Sequence, residues 1–212
     1  MAFVKLEAES IIKELENSIG IQEGFFKYLA DSKFDWSFVV GLYAFLESAL
    51  TALIVKELGK EQLHEAIGGL PMGHSQHGKI ALIKRLLLLS EDAVKFIQAL
   101  AELRNRFVHD IKAFGLNLEE YLEHLDGSQK KNFVEAFGYV LKDELEIGKE
   151  RIRKEEFIIE NPRFTIEFSA FFTIWEIAMK LSKVKLKQRE IELNKRSAEL
   201  LGLFYPYFFP NK

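Results

Sequence analysis

The chain has 212 residues, 48% hydrophobic and 29% charged, a composition that can bury one sizeable core and excludes intrinsic disorder. Its formal net charge of -3 excludes the strongly basic class of proteins that coat nucleic acid, while leaving room for a local basic site. The absence of cysteine excludes a disulfide framework and any thiolate metal or redox site, and a cytoplasmic protein is the simplest expectation.

The opening residues Met1 to Glu7 carry neither the basic region nor the apolar region of a secretory leader. From Phe3 to Leu29, apolar residues at Ile11, Ile12, Leu15, Ile19, Phe25, Phe26 and Leu29 recur at helical spacing, with Gly20 and Gly24 as candidate breaks. Asp35 stands where an N-cap is expected for a helix running to about Leu58 and stopping at Gly59. Within it, Phe38 to Val55 is nearly all apolar and holds one charge, Glu47. A mid-span carboxylate is costly in lipid, so this segment reads as a helix buried in a bundle rather than a membrane span.

A short helix is expected over Glu61 to Ile67, then a glycine-rich break from Gly68 to Gly78 that carries His74 and His77. A helix is expected from Lys79 to Leu89. Ser90 is a good N-cap for the next, with Glu91 and Asp92 in its first turn, where the dipole favours acids. Asn117 and Glu120 have capping-box spacing for a short helix to His124. Asp126-Gly127-Ser128 reads as a turn, with Ser128 capping a helix to about Glu156. The aromatic patch from Phe157 to Phe172 fits either a helix or a short strand or hairpin. Asn161-Pro162 starts a long helical pattern to about Leu201. The apolar tail Phe204 to Pro210 is not expected to be regular helix and should pack on the body or on a partner chain.

The fold class is therefore all-α, a helical bundle over residues 1–124 with a helical extension over 125–212 packed on it, or the two run together as one domain. There is no internal repeat and no low-complexity segment.

One helix spells out chemistry, in the run Leu103-Arg104-Asn105-Arg106-Phe107-Val108-His109-Asp110. Histidine gives and takes protons near neutral pH. Arginine is a permanent cation whose fork of donors fits a phosphate, and asparagine adds a neutral donor and acceptor. A proton-transfer group beside a phosphate clamp points to phosphodiester chemistry. With Leu100 as zero and about 100° per residue, Leu103, Phe107 and Ile111 share the core face, while His109 lies about 180° away. Asn105 is on the His109 side, one turn earlier, and Arg104 falls near the core side. A partly buried arginine needs a carboxylate, so a Glu47–Arg104 pair is expected.

At these residues the chain resembles the HEPN superfamily, whose pattern is Arg, four to six residues, then His, often with Asn directly after the Arg; here it reads Arg104-Asn105-Arg106-Phe107-Val108-His109. The Leu46-Glu47 pair in the preceding helix is similar to that family's earlier helix. The stretch from His77-Gly78-Lys79-Ile80 to Arg104-Asn105 resembles its mannitol operon repressor-like branch. The resemblance covers roughly residues 35–115. It implies a HEPN-like bundle, a homodimer with two motifs across one cleft, and a metal-independent endoribonuclease of the toxin or phage-defence kind, requiring no cofactor and regulated by an antitoxin or other protein partner. In that reading His109 acts on the ribose 2′-hydroxyl or the leaving oxygen, Arg104 stabilises charge on the phosphate, and Asn105 orients either. Glu47, Arg106 and Asp110 support them, and His74, His77 and Lys79 contact RNA. The alternative is a non-catalytic helical regulator that binds protein or nucleic acid with the same surface. A tyrosine two residues after the histidine, present in one subgroup, is replaced by Ile111.

His64, His74 and His77 lack tidy ligand spacing, so no metal is expected. The glycine-rich loop lacks the Gly-Lys-Ser/Thr ending of a phosphate loop. The cations between Lys180 and Arg196, interspersed with Glu190 and Glu192, read as a solvated helix face in preference to an RNA-binding stripe.

Overall fold

The computed structural model describes residues 2–74, 76–109, 117–148 and 150–208, and side chains within 9–201 of these. It is all-α apart from one hairpin. Helix α1 spans Ala2–Ser18 and α2 Phe25–Ala30. The two are separate helices because the chain turns through Gly20 and Gly24, both at positive φ (73° and 86°), a conformation glycine adopts without strain. The buried Glu16 carboxylate then accepts the N–H groups of Gly24 and Phe26 and fixes the start of α2.

Helix α3, Asp35–Leu58, is the central post and ends at Gly59 in the left-handed region, as expected for a C-cap. It is the one helix among the described residues long and apolar enough to cross a membrane, and here it lies in the middle of the bundle with eleven side chains buried. A single-turn helix at Glu61–Leu63 leads into α4, His64–Gly68, and then come α5, Lys79–Arg85, and α6, Glu91–His109. Ser90 caps α6 by accepting from Ala93 N–H, and Glu176 holds Ser90 in turn through its N–H and hydroxyl. Helix α7, Leu118–Glu123, and α8, Gly127–Phe137, both begin on complete capping boxes, Asn117 with Glu120 and Asp126 with Gln129.

The helix expected from Ser128 to Glu156 forms only as far as Phe137. Asp126 is the cap, α8 stops at Phe137, and Gly138 after it leaves room for the Ile158 side chain, which a Cβ there would strike. Strands β1, Glu144–Ile147, and β2, Glu150–Arg153, pair antiparallel, with Glu144 opposite Arg153 and Glu146 opposite Arg151. The hairpin thus lies before the aromatic patch, which is helical in α9, Lys154–Glu160, and in α10, Pro162–Phe208. The helix also runs through the tail as far as Phe208, against the expectation of no regular helix there. Residues 209–212 lie outside the described residues.

One hydrophobic core joins residues on both sides of position 124. Leu42, Phe45, Leu46, Leu50 and Ile54 of α3 and Phe96, Leu100 and Phe107 of α6 belong to the same cluster as Ile166, Ala170, Ile174 and Ile177 of α10. Helix α10 runs parallel to α3. Arg163 at its start binds the Asp35 carboxylate, and Gln188 further along donates to the carbonyl of Lys56 at the other end of α3. Asp35 is therefore not an N-cap. The cap position is Phe34, and the Asp35 carboxylate is taken by Arg163 and by the N–H of Leu118 (2.8 Å), partners too distant in sequence for a local pattern to reveal.

Candidate functional site

The motif occupies the last turns of α6, held from two sides. Trp36 of α3 donates its indole N–H to the Phe107 carbonyl at 3.0 Å, and Phe107 is buried against Tyr121 of α7. The exposure of the motif follows the helical arithmetic: Arg104 is half-buried, and Asn105, Arg106 and His109 are exposed. Arg106 and His109 lie in the last turn, where cations complement the helix dipole.

Arg104 does not pair with Glu47. Its guanidinium lies over the ring of Tyr43, 4.9 Å from the centroid, and donates to Asn105 Oδ1 at 3.1 Å. Its Nε is buried with no hydrogen-bond partner among the described residues. Glu47, one turn further along α3, is taken by Lys79 instead (3.1 Å). Lys79 is fully buried, and its ammonium also donates to the carbonyls of Gly68 (2.9 Å) and Leu70 (2.7 Å). All three donors of a lysine are thereby used. Lys79 is thus a clamp between α3 and the glycine-rich loop, out of reach of RNA, which corrects its expected role as an RNA contact. Glu47 supports the loop rather than Arg104.

Tyr43 is the participant that sequence reasoning did not single out. Burial pushes its hydroxyl above the ordinary tyrosine range, the Glu47 charge adds to this, and Arg104 partly offsets it. Tyr43 is thus a neutral platform for the arginine. Tyr121 plays the corresponding part for Arg106, whose Nη1 donates to the Tyr121 hydroxyl at 2.8 Å. Its hydroxyl is also raised, by burial first, with Arg106 opposing.

His74 and His77 are exposed and stacked, ring centroids 5.2 Å apart. His74 Nδ1 accepts the N–H groups of Gln76 (3.3 Å) and His77 (3.1 Å). Their loop meets α6: a Cβ on Gly73 would lie 3.7 Å from the Cβ of Ala101. Ala101, Asn105 and His109 are spaced by four, so the loop sits about one turn from Asn105 and two from His109 along the same side of the helix. No third histidine or carboxylate joins His74 and His77 in a metal-sized cluster among the described residues. Asp110 and Ile111 lie outside the described residues.

The pocket beside Arg106 and Tyr121 has a volume of about 100 Å³, short of the roughly 300–1,000 Å³ of a small-molecule site. Arg104, Asn105 and His109 do not line that pocket. Comparison of the chain with protein-family models, with curated proteins and with solved structures returns no match.

Proposed function

We propose that the protein is a metal-independent endoribonuclease of the HEPN type, with Arg104, Asn105 and His109 as its working residues. The observation that carries this reading is the asymmetry of Arg104. Its ring contact with Tyr43 and its bond to Asn105 hold the guanidinium in place, and no carboxylate neutralises it among the described residues. A fixed guanidinium with donors to spare is suited to the charge that develops on a phosphoryl group in flight. The exposed His109 lies on the Asn105 side of the same helix, free to exchange a proton with a substrate on the surface.

The reaction in this reading is an internal displacement. The ribose 2′-oxygen loses its proton to a base and forms a bond to phosphorus. The P–O5′ bond breaks, and the leaving oxygen takes a proton. The products are a 2′,3′-cyclic phosphate and a 5′-hydroxyl, with no change in redox state. Two proton transfers need two groups. Arg104 and His109 are five residues apart, so they stand about 140° apart around the helix. A homodimer placing two such helices across one cleft supplies both proton-transfer groups, and a cytoplasmic toxin or phage-defence effector held by a protein partner is the matching setting.

A second reading rests on the recess of Arg104. An arginine half-buried against Tyr43 also suits a non-catalytic regulator that uses Asn105, Arg106 and His109 only to bind protein or nucleic acid. Incubating RNA with the protein in excess chelator separates the two. The nuclease reading expects cyclic-phosphate ends that vanish in His109→Ala while the circular dichroism spectrum is retained. Intact RNA with the wild-type protein, or equal cleavage by His109→Ala, overturns it.

A further inference from the structure

Helix α10 carries an outward stripe that the fold leaves open. At about 100° per residue, Phe164, Phe168, Phe172, Trp175, Met179, Leu186, Leu193 and Leu200 fall within roughly 80° of one another, along about 54 Å of helix. The core-facing side chains Ile166, Ala170, Ile174, Ile177 and Leu181 lie on the other side. The stripe begins as an aromatic ladder, with ring centroids 5.7 Å apart for Phe164 and Phe168 and 5.1 Å for Phe168 and Phe172. Trp175, Met179, Leu186, Leu193 and Leu200 are 42%, 50%, 68%, 56% and 54% exposed. From Arg189 to Leu201 every side chain is exposed, so this stretch of α10 stands clear of the bundle. An isolated helix of that length gains little from its own hydrogen bonds in water.

We infer that this stripe is the seat of a second copy of the same chain, docked antiparallel so that the projecting half of each α10 lies on the aromatic half of the other. Three observations select this occupant. Most of the stripe matches itself on reversal: a twofold axis between Ser182 and Lys183 sets Phe172 against Leu193, Met179 against Leu186, and Phe164 against the Leu200–Leu201 end, with Phe168 and Trp175 opposite Ser197 and Glu190. That reciprocity is what an isologous interface requires.

Charge sets the direction. The stretch 180–200 holds seven Lys and Arg against three Glu, so a parallel pair sets all seven cations against themselves, whereas the reversed pair brings only Lys180, Lys183 and Lys185 together at the axis and places Arg189 opposite Glu176. Reversed, Lys195 and Arg196 of one copy come beside the 167–171 turn of the other. That turn borders a groove of about 1,070 Å³ between α1, α2 and α10, which is lined by Glu9, Glu16, Glu23, Asp31 and Glu167 against two lysines. The area also suffices. Covering the exposed halves of eight such side chains buries on the order of 700 Å² per copy, near the roughly 800 Å² per partner of a standard interface. This interface uses α10, does not rest on the ribonuclease reading, and adds to whatever pairing the α6 surface makes.

The chain has no cysteine, so introduced thiols are unique probes. The wild-type protein should sediment as a dimer at tens of micromolar. Leu193→Glu should sediment as a monomer with an unchanged circular dichroism spectrum, since Leu193 is exposed and contributes nothing to the core. A short bismaleimide should join Phe172→Cys to Leu193→Cys when the two variants are mixed, and should not join Leu193→Cys to itself. A wild-type monomer at that concentration, a dimer that survives Leu193→Glu, or efficient self-linking of Leu193→Cys each overturns the proposal, the last by showing a parallel pair. Dimers of Phe164→Cys that link to themselves and not to Leu201→Cys do so equally.

Discussion

Two arginines lie on aromatic rings of the same helix and end in different states. Arg163 stands over Phe38, 4.7 Å from the ring centroid, and Arg104 over Tyr43 at 4.9 Å. Arg163 is spent. It bonds the Asp35 carboxylate, the carbonyls of Ala30 (3.1 Å) and Ser32 (2.6 Å) and the Ser32 hydroxyl, and so ties the start of α10 to the α2–α3 turn. Among the described residues Arg104 has one acceptor, Asn105, and an Nε without a partner. The ring contact positions a guanidinium in both cases, but only the arginine without a carboxylate keeps donors for an outside anion. Lys79, with three acceptors, belongs with Arg163.

The largest expected effect lies on the spent side. Lys79→Met leaves Glu47 and two carbonyls without their cation and should cost about 3 kcal/mol, read as a melting temperature lower by roughly 6–12 °C. A melting temperature within a degree or two of wild type would show that Lys79 is no clamp. Arg163→Lys should cost about 2 kcal/mol, because an ammonium cannot reproduce the fork that spans Asp35, Ala30 and Ser32. Urea unfolding measures this directly.

A smaller effect sharpens the other side. Tyr43→Leu keeps the apolar packing and removes the ring, so it should free Arg104 and slow RNA cleavage roughly tenfold, in line with a cation–π contact of about 1–2 kcal/mol. Tyr43→Phe should cleave at nearly the wild-type rate, since it is the ring that lies under the Arg104 guanidinium and phenylalanine keeps it.

A further effect is a pH dependence that belongs to the scaffold. Tyr139 is pushed up to about 12, by burial first, with the Thr173 hydrogen bond opposing and the Glu176 and Asp92 charges adding. A pKa raised on folding gives stability that is fully present below the unfolded value of about 10 and is lost as the pH rises through the folded one. Unfolding midpoints should therefore fall between about pH 10 and pH 12, and Tyr139→Phe should flatten that slope.

Much of this contrast was hidden in the sequence for a definite reason. Local signals read well. The apolar run of α3 and its Gly59 stop, the Ser90 cap, the Asn117–Glu120 box and the outward turn of His109 all follow from residues within a turn or two of one another. The need of Glu47 for a cation was legible too, but not which cation. Lys79 is 32 residues away and Arg104 is 57, and spacing does not rank them. The Asp35–Arg163 pair spans 128 residues, so Asp35 read as a cap. The hairpin was missed because Glu144 to Arg153 is rich in helix-forming Glu and Arg, although its alternation of charged and apolar residues has the two-residue period of a strand. Tyr43 left one usable signal. It stands one turn before Glu47 on the same face of α3, where a ring and a carboxylate together form a natural seat for a cation.

The most direct test sets Arg104→Lys beside Arg163→Lys and measures single-turnover RNA cleavage and thermal unfolding on both. Arg104→Lys should lose roughly 100-fold in cleavage rate while its melting temperature stays within about 2 °C of wild type, and Arg163→Lys should show the reverse, a lowered melting temperature with the rate of the folded protein preserved. Equal losses of rate in the two variants, or an Arg104→Lys protein that cleaves like the wild type, would contradict the account.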